Sequence, residues 1–173
     1  EKAILPKELG PLMRIAGFQE VVSLYTEEQA LKEAKRCLQC KNPACIAGCP
    51  VNINIKKFIY QITQKDYTGA YFTIREKNDF ASICGRVCPA EYQCRKTCVL
   101  TKKGESFASP DSIQIHFLER FAGDYGMKSN LHVSYVQPST SDGKKVAVVG
   151  SGPAGLCAAG ELVRAGIKVV IFE

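Results

Sequence analysis

Apolar residues three and four apart mark four helices in the first 130 residues. Thr26 opens the first: Thr26 and Gln29 stand at capping-box spacing, and Glu27 and Glu28 suit the positive N-terminal end. Ala30, Leu31, Ala34 and Leu38 follow at helical spacing, so this helix is expected to carry Cys37 and Cys40 at its C-terminal end, and Asn42-Pro43 breaks it. Residues 55–64 read as a second helix with Phe58, Ile59 and Ile62 inward. Asp66 can cap a third, with Ala70, Ile74 and Tyr71 inward, which Asn78-Asp79 ends. Ser109-Pro110 supplies an N-cap and a first-turn proline for the fourth. It runs through Ile113, Ile115, Phe117, Leu118 and Phe121 towards Gly123 or Gly126. Residues 1–25, with Pro6, Gly10, Pro11 and Gly17, read as an irregular arm lying on a neighbouring surface.

The period then changes. Residues 128–143 hold no sustained pattern, contain Pro138, Ser139, Thr140, Ser141, Asp142 and Gly143, and read as a linker. Val146–Val149 form an apolar strand, followed by Gly150-Ser151-Gly152-Pro153-Ala154-Gly155. A helix continues through Leu156, Ala158, Ala159, Leu162 and Val163, and a second strand runs from Val169 to Phe172 and meets Glu173. A glycine triplet alone says little. Strand, triplet, helix, strand and acid in one unit describe a dinucleotide-binding βαβ. Gly150 permits the turn, Gly152 lets backbone approach a pyrophosphate, and Gly155 lets helix and strand pack closely. The helix N-terminus, with Pro153 and Ala154, favours the phosphate charge, and Glu173 stands where a carboxylate would bond an adenosine ribose. Cys157 on this helix reads as a small buried hydrophobe. A full domain of this kind needs more strands, so the chain is expected to be the front part of a longer protein.

Eight of the nine cysteines lie between residues 37 and 98. Cys37, Cys40, Cys45 and Cys49 run as C-x2-C-x4-C-x3-C, closed by Pro50; Cys84, Cys88, Cys94 and Cys98 form the second group. Short gaps let one stretch of backbone wrap several thiolates around an inorganic centre, and iron–sulfur clusters lead the readings. Zinc is the rival: with only His116 and His132 elsewhere, its site would be almost purely thiolate. Four disulfides would suit a small secreted chain, and the charged start followed by Pro6 and Gly10-Pro11 does not read as a secretory leader. Free thiol ligands imply a reducing, cytoplasmic setting.

The charge of +6 adds little to this. Lys35, Arg36, Lys41, Lys56, Lys57, Arg86, Arg95, Lys96, Lys102 and Lys103 surround the cysteines. They are scattered and not interleaved with a recognition motif, which argues against nucleic acid. They read as a solvated face or a docking face for an acidic partner subunit. No apolar run is long enough to span a membrane.

The run from Cys37 through Gln39-Cys40-Lys41-Asn42-Pro43, then Gly48-Cys49-Pro50-Val51-Asn52-Ile53, resembles the N-terminal region of the small (beta) subunit of NADPH-dependent glutamate synthase. So does Ile83-Cys84-Gly85-Arg86-Val87-Cys88-Pro89-Ala90-Glu91. The same module opens dihydropyrimidine dehydrogenase and the large subunit of the bifurcating ferredoxin:NADP transhydrogenase. Many relatives have a proline where this chain has Lys56, a departure that touches only a helix start.

The resemblance implies a mostly α-helical iron–sulfur domain of the alpha-helical ferredoxin type over residues 1–138. Over residues 139–173 it implies a linker and the first βαβ unit of a Rossmann-like FAD-binding domain. It implies two [4Fe-4S] clusters shared crosswise: Cys37, Cys40, Cys45 and Cys98 on one, and Cys49, Cys88 and Cys94 with a non-cysteine ligand on the other. The family's Ile-x-Ile-x-x-Leu-Glu-Arg pattern falls on Ile113 to Arg120 and makes Glu119 that ligand, while Cys84 falls on a family cysteine that is not one. In the whole protein NADPH would reduce FAD, and electrons would leave singly through the clusters to a larger redox subunit or downstream domain. Residues 1–173 themselves need no acid–base catalysis, and alone the chain is expected to be an inactive fragment. A zinc- or cluster-stabilised interaction module without electron transfer is the alternative.

Overall fold

A computed structural model describes residues 2–102, 104–132 and 143–173. The chain divides into two units, Glu1–Leu131 and His132–Glu173. The expected boundary at residues 138 and 139, and most of the expected linker, lie outside the described residues.

The first unit is helical: α1 (Pro11–Ile15), α2 (Glu27–Lys35), α3 (Ala44–Ala47), α4 (Ile55–Thr63), α5 (Tyr67–Arg75), α6 (Ala81–Val87) and α7 (Ile115–Lys128), with a 3-10 turn at Ala90–Tyr92. The Thr26 hydroxyl and the Gln29 side chain cap α2 reciprocally. Asn54 caps α4 through the Lys57 N–H at 3.2 Å, so no proline is required at its start. Asp66 caps α5 through the Gly69 N–H at 2.8 Å. Phe58, Ile59 and Ile62 of α4 meet Ile74 of α5 and Leu118 of α7 in the core, all fully buried.

Two element ends and one whole helix differ from expectation. The Cys37–Cys40 stretch lies beyond α2, whose C-cap is Arg36; Leu38 is 63% exposed and Gln39 takes a φ of 49°. The helical spacing of Leu38 is therefore coincidental. Helix α7 begins five residues past Pro110, because the Ser109 hydroxyl is committed to Glu105 Oε2 at 2.7 Å and accepts the Lys102 N–H at 2.9 Å. Gln114 Nε2 then donates to the carbonyls of Pro110 and Ser112. Helix α6 was not legible, since it buries only Ala81 and Gly85.

The arm is more ordered than expected. It pairs with itself through Leu9 N–H to Val21 O and Ser23 N–H to Lys7 O, both 2.8 Å. It is anchored to the helices at both ends. Buried Glu33 accepts the Ile4 N–H at 2.8 Å, the Gln114 N–H at 2.9 Å and Arg36 Nη1 at 2.6 Å. Glu20 accepts from Arg86 and Arg120. Three of the basic residues read as a solvated or docking face are thus structural: Arg36 is buried on Glu33, Arg86 bonds Asp124 and Glu20, and Arg95 Nε reaches Ser112 Oγ at 3.3 Å.

The second unit is β1 (Lys145–Val149), α8 (Pro153–Arg164) and β2 (Lys168–Phe172). The strands are parallel and in register from Lys145↔Lys168 to Val149↔Phe172. Helix α8 buries only Ala159. Cys157 is exposed, contrary to the expected burial, because nothing described covers that face of α8.

Candidate metal centres

All nine cysteines are free thiols. The left-handed Gln39 turns Cys37-Leu38-Gln39-Cys40 away from the α2 axis, α3 carries Cys45, and Cys49 follows it. Cys88 ends α6, and Cys94 and Cys98 lie in the irregular run after the 3-10 turn.

Two close approaches bring these stretches together. A Cβ on Gly48, between Cys45 and Cys49, would collide with the Thr97 side chain and come within 3.1 Å of Gln93 O, so the first cysteine loop lies directly on the second. A Cβ on Gly85 of α6 would come within 2.6 Å of the backbone of Arg120 on α7. Only glycine allows that contact, and it sets Cys88 beside the helix that carries Glu119.

The thiols sort into two sets. Cys37, Cys40, Cys45 and Cys98 line one pocket, walled by Ile55, Ile59, Ile113 and Ile115. Burial raises the Cys37 thiol, and Cys98 and Cys40 add to it. Burial pushes Cys45 up to about 11, with Cys98, Cys37 and Cys40 adding. In the other set, burial pushes Cys88 up to about 11, followed by Glu119, Cys84 and Cys49. Cys94, buried, is raised furthest, by burial and then by Cys49, Cys88 and Glu119. Cys45 also acts on Cys94, so the sets are neighbours. As free groups these raised thiols hold their protons at neutral pH; a metal centre would expel them on binding.

Glu119 is 7% exposed, and burial lifts its carboxyl to about 7 against the pull of Asn78. Asn78 Nδ2 donates to Glu119 Oε1 at 2.8 Å, while its Oδ1 accepts the Phe80 N–H at 2.9 Å and faces Cys84 Sγ at 3.7 Å. Gln39 Nε2 donates towards Cys37 Sγ at 3.5 Å, which suits a thiolate as it stands, whereas the Cys88 thiol donates to Gln93 Oε1 at 3.3 Å, a bond lost when Cys88 gives up its proton. In the sequence Asn78 is legible only as a helix stop, and the roles of Gly48 and Gly85 are not legible, because each acts through a partner distant in sequence.

The donor chemistry fits iron–sulfur clusters: half-buried thiols with Cys94 buried, apolar walls and one carboxylate. Among the described residues, no three His, Cys, Asp or Glu side chains close tightly enough around one point for a single metal ion. A cubane attaches each thiolate to its own iron and so takes a wider ring than zinc does.

In the second unit Gly150 has a φ of 94°, which allows the turn from strand to helix, and it donates its N–H to Phe172 O at 2.7 Å, extending the ladder between β1 and β2. A Cβ on Gly152 would meet nothing within 4 Å, which leaves the N-terminus of α8, with Pro153 and Ala154, open to a phosphate. Gly155 faces Gly150 O, where a side chain would collide. Glu173 Oε2 accepts the Ser151 N–H at 2.6 Å, and bonding to Ser151 holds its carboxyl below the usual range.

Residues 14–131 match the family described as dihydropyrimidine dehydrogenase domain II, 4Fe-4S cluster. The chain belongs to that family. Residues 144–173 match a second family, the FAD binding domain. The chain is 38% identical over 154 residues to the NAD-dependent dihydropyrimidine dehydrogenase subunit PreT of Escherichia coli, covering 89% of this chain and 35% of that protein. It is 31% identical over 169 residues to the glutamate synthase [NADPH] small chain of Azospirillum brasilense, covering 98% of this chain and 34% of that one. The Escherichia coli glutamate synthase small chain is 34% identical over 163 residues, covering 93% and 33%. The chain thus spans about a third of the length of these relatives. Among the described residues no helix is long and apolar enough to cross a membrane.

Proposed function

We propose that this chain is the electron-transfer part of an NAD(P)H-dependent iron–sulfur flavoprotein, resembling the glutamate synthase small subunit, with residues 1–138 as the cluster domain and 139–173 as the start of a Rossmann-like FAD domain. Cys37, Cys40, Cys45 and Cys98 hold one [4Fe-4S] cluster, and Cys49, Cys88, Cys94 and Glu119 hold the other. The observation that carries this reading is the sorting of the thiols across the two sequence groups: Cys98 of the second lines one pocket with Cys37, Cys40 and Cys45 of the first, while Cys49 of the first lies close enough to Cys88 and Cys94, beside Glu119, to raise both thiols. Cys84 acts on Cys88 from the same helix but is not a ligand.

When bound, the clusters supply a one-electron relay, and the flavin a two-electron station between nicotinamide and iron. The chain's own work is to hold the two thiol sets side by side and wall off one with isoleucines. It also presents Gly150, Gly152, Pro153, Ala154 and Gly155 to a pyrophosphate and Glu173 to a ribose. The nicotinamide, NADPH by the glutamate synthase likeness, would be bound beyond residue 173, and the partner is a larger redox subunit or downstream domain. The cytoplasm suits the free thiols.

Anaerobic purification tests the reading. A brown protein with about eight iron and eight sulfide per chain, and two reducible cluster signals by electron paramagnetic resonance, is expected. A colourless protein carrying zinc overturns it in favour of a structural module.

A further inference from the structure

Glu119 and Cys84 are both placed to serve the second thiol set, and one side chain touches both. Asn78 lies in the turn between α5 and α6. Its Nδ2 donates to Glu119 Oε1 at 2.8 Å, and its Oδ1 faces Cys84 Sγ at 3.7 Å. Oδ1 also accepts the Phe80 N–H at 2.9 Å, at the N-cap of α6. That backbone bond fixes which end of the amide is oxygen, so the amide cannot turn over without losing it. Among the described residues Asn78 is the hydrogen-bond partner of Glu119, and it engages one carboxylate oxygen only. The carboxylate's charge reaches Cys88 and Cys94. Cys84 is drawn the other way, since its S–H finds an acceptor in the amide oxygen.

We infer that Asn78 is a positioning residue that selects the ligand of the second cluster: its N–H steers Glu119 towards the thiol set, and its carbonyl retains Cys84 as a reserve ligand. The inference rests on the cluster assignment above. Without the amide, the Glu119 oxygen–iron bond gives way to a Cys84 sulfur–iron bond, and the thiol proton passes to the released carboxylate. No electron is exchanged in the swap. Only an amide serves both neighbours, because it offers a donor and an acceptor at one position. Aspartate offers two acceptors and sets a second carboxylate against the first.

The test uses the full chain, reconstituted anaerobically, as Asn78→Asp, Asn78→Ser, Cys84→Ser, Asn78→Asp with Cys84→Ser, and Glu119→Ala. The readouts are iron content, paramagnetic line shape and the midpoint potential of each cluster. Cys84→Ser is expected to match the parent. Asn78→Asp is expected to leave the signal of the Cys37 set unchanged, which also reports an intact fold, and to alter the line shape and potential of the other. Asn78→Asp with Cys84→Ser is expected to lose about half of the iron, because neither candidate ligand is then presented. Asn78→Ser, which keeps an oxygen near Phe80 but is too short for Glu119, is expected to behave as Asn78→Asp without the added charge. Unaltered second-cluster signals in both Asn78 variants, with Glu119→Ala disturbing that cluster, overturn the role of Asn78 alone. Unaltered signals in Glu119→Ala overturn the ligand assignment itself.

Discussion

His116 illustrates what burial demands of a titratable side chain. Its Nδ1 is buried without a partner in the described structure, and its ring lies against Phe117 with centroids 3.9 Å apart. Burial, with Arg95 and Arg120 nearby, pulls its value down from 6.5 to about 4. The unfolded chain therefore takes up a proton near pH 6.5 that the folded chain refuses until about pH 4. The folded state is favoured fully above pH 6.5 and loses ground as pH falls through this window, by roughly 3 kcal/mol at most. The variant His116→Leu is expected to remove that loss. Its melting temperature relative to the parent should rise as pH is lowered from 7 to 4.5, and a pH-independent difference would refute it. None of this is legible locally, for a lone histidine between Ile115 and Phe117 carries no sign of the arginines that fold around it.

Helices were legible where one side chain both caps and patterns them. Thr26 with Gln29, and Asp66 with Gly69, mark α2 and α5 within a few residues of chain. Helix α6 escaped because its contact surface is an absence of side chain. Gly85 lies against Arg120, and a Cβ on Gly123 of α7 would come within 2.5 Å of Ser82 N on α6, so the two backbones approach without an apolar stripe to announce it. Much of the candidate site was legible as cysteine spacing, but the glycines and the amide that aim it were not. Gly85→Ala is expected to force α6 off α7, destabilising the chain by about 1–3 kcal/mol through overpacking. It should also lower the occupancy of the Cys88 set before that of the Cys37 set, read as iron content and cluster signals on gentle heating. Equal loss from both would count against this account.

The two units should respond to stress differently. In Glu1–Leu131 the cysteines lie among the core residues, with Cys94 buried in the main cluster and Cys37, Cys45, Cys49 and Cys98 packed against it. Metal bound at such positions contributes to folding free energy. Removing iron with a chelator under reducing conditions should replace a sharp melting transition by a broad one; an unchanged sharp transition sinks that view. In the second unit the sheet has two strands among the described residues, and its apolar side chains are open: Val149 is 88% exposed and Phe172 56%. Isolated two-stranded sheets are marginal in water. Amide exchange across β1, α8 and β2 should be fast in the monomeric chain, and strong protection there would contradict this.

Because the loop holding Gly48 lies against Thr97, the stretch around the first four cysteines is unfinished until nearly fifty later residues have been made. A ribosome that has exposed only residues 1–90 has released six of the eight grouped cysteines, yet on the proposed assignment neither set is complete: Cys98 is missing from one, Cys94 and Glu119 from the other. Cofactor insertion would therefore have to wait for the whole helical unit. A nascent chain arrested at residue 90 should take up no stable cluster, whereas one arrested well past residue 131 should, and iron retention on the arrested chains would tell the two apart.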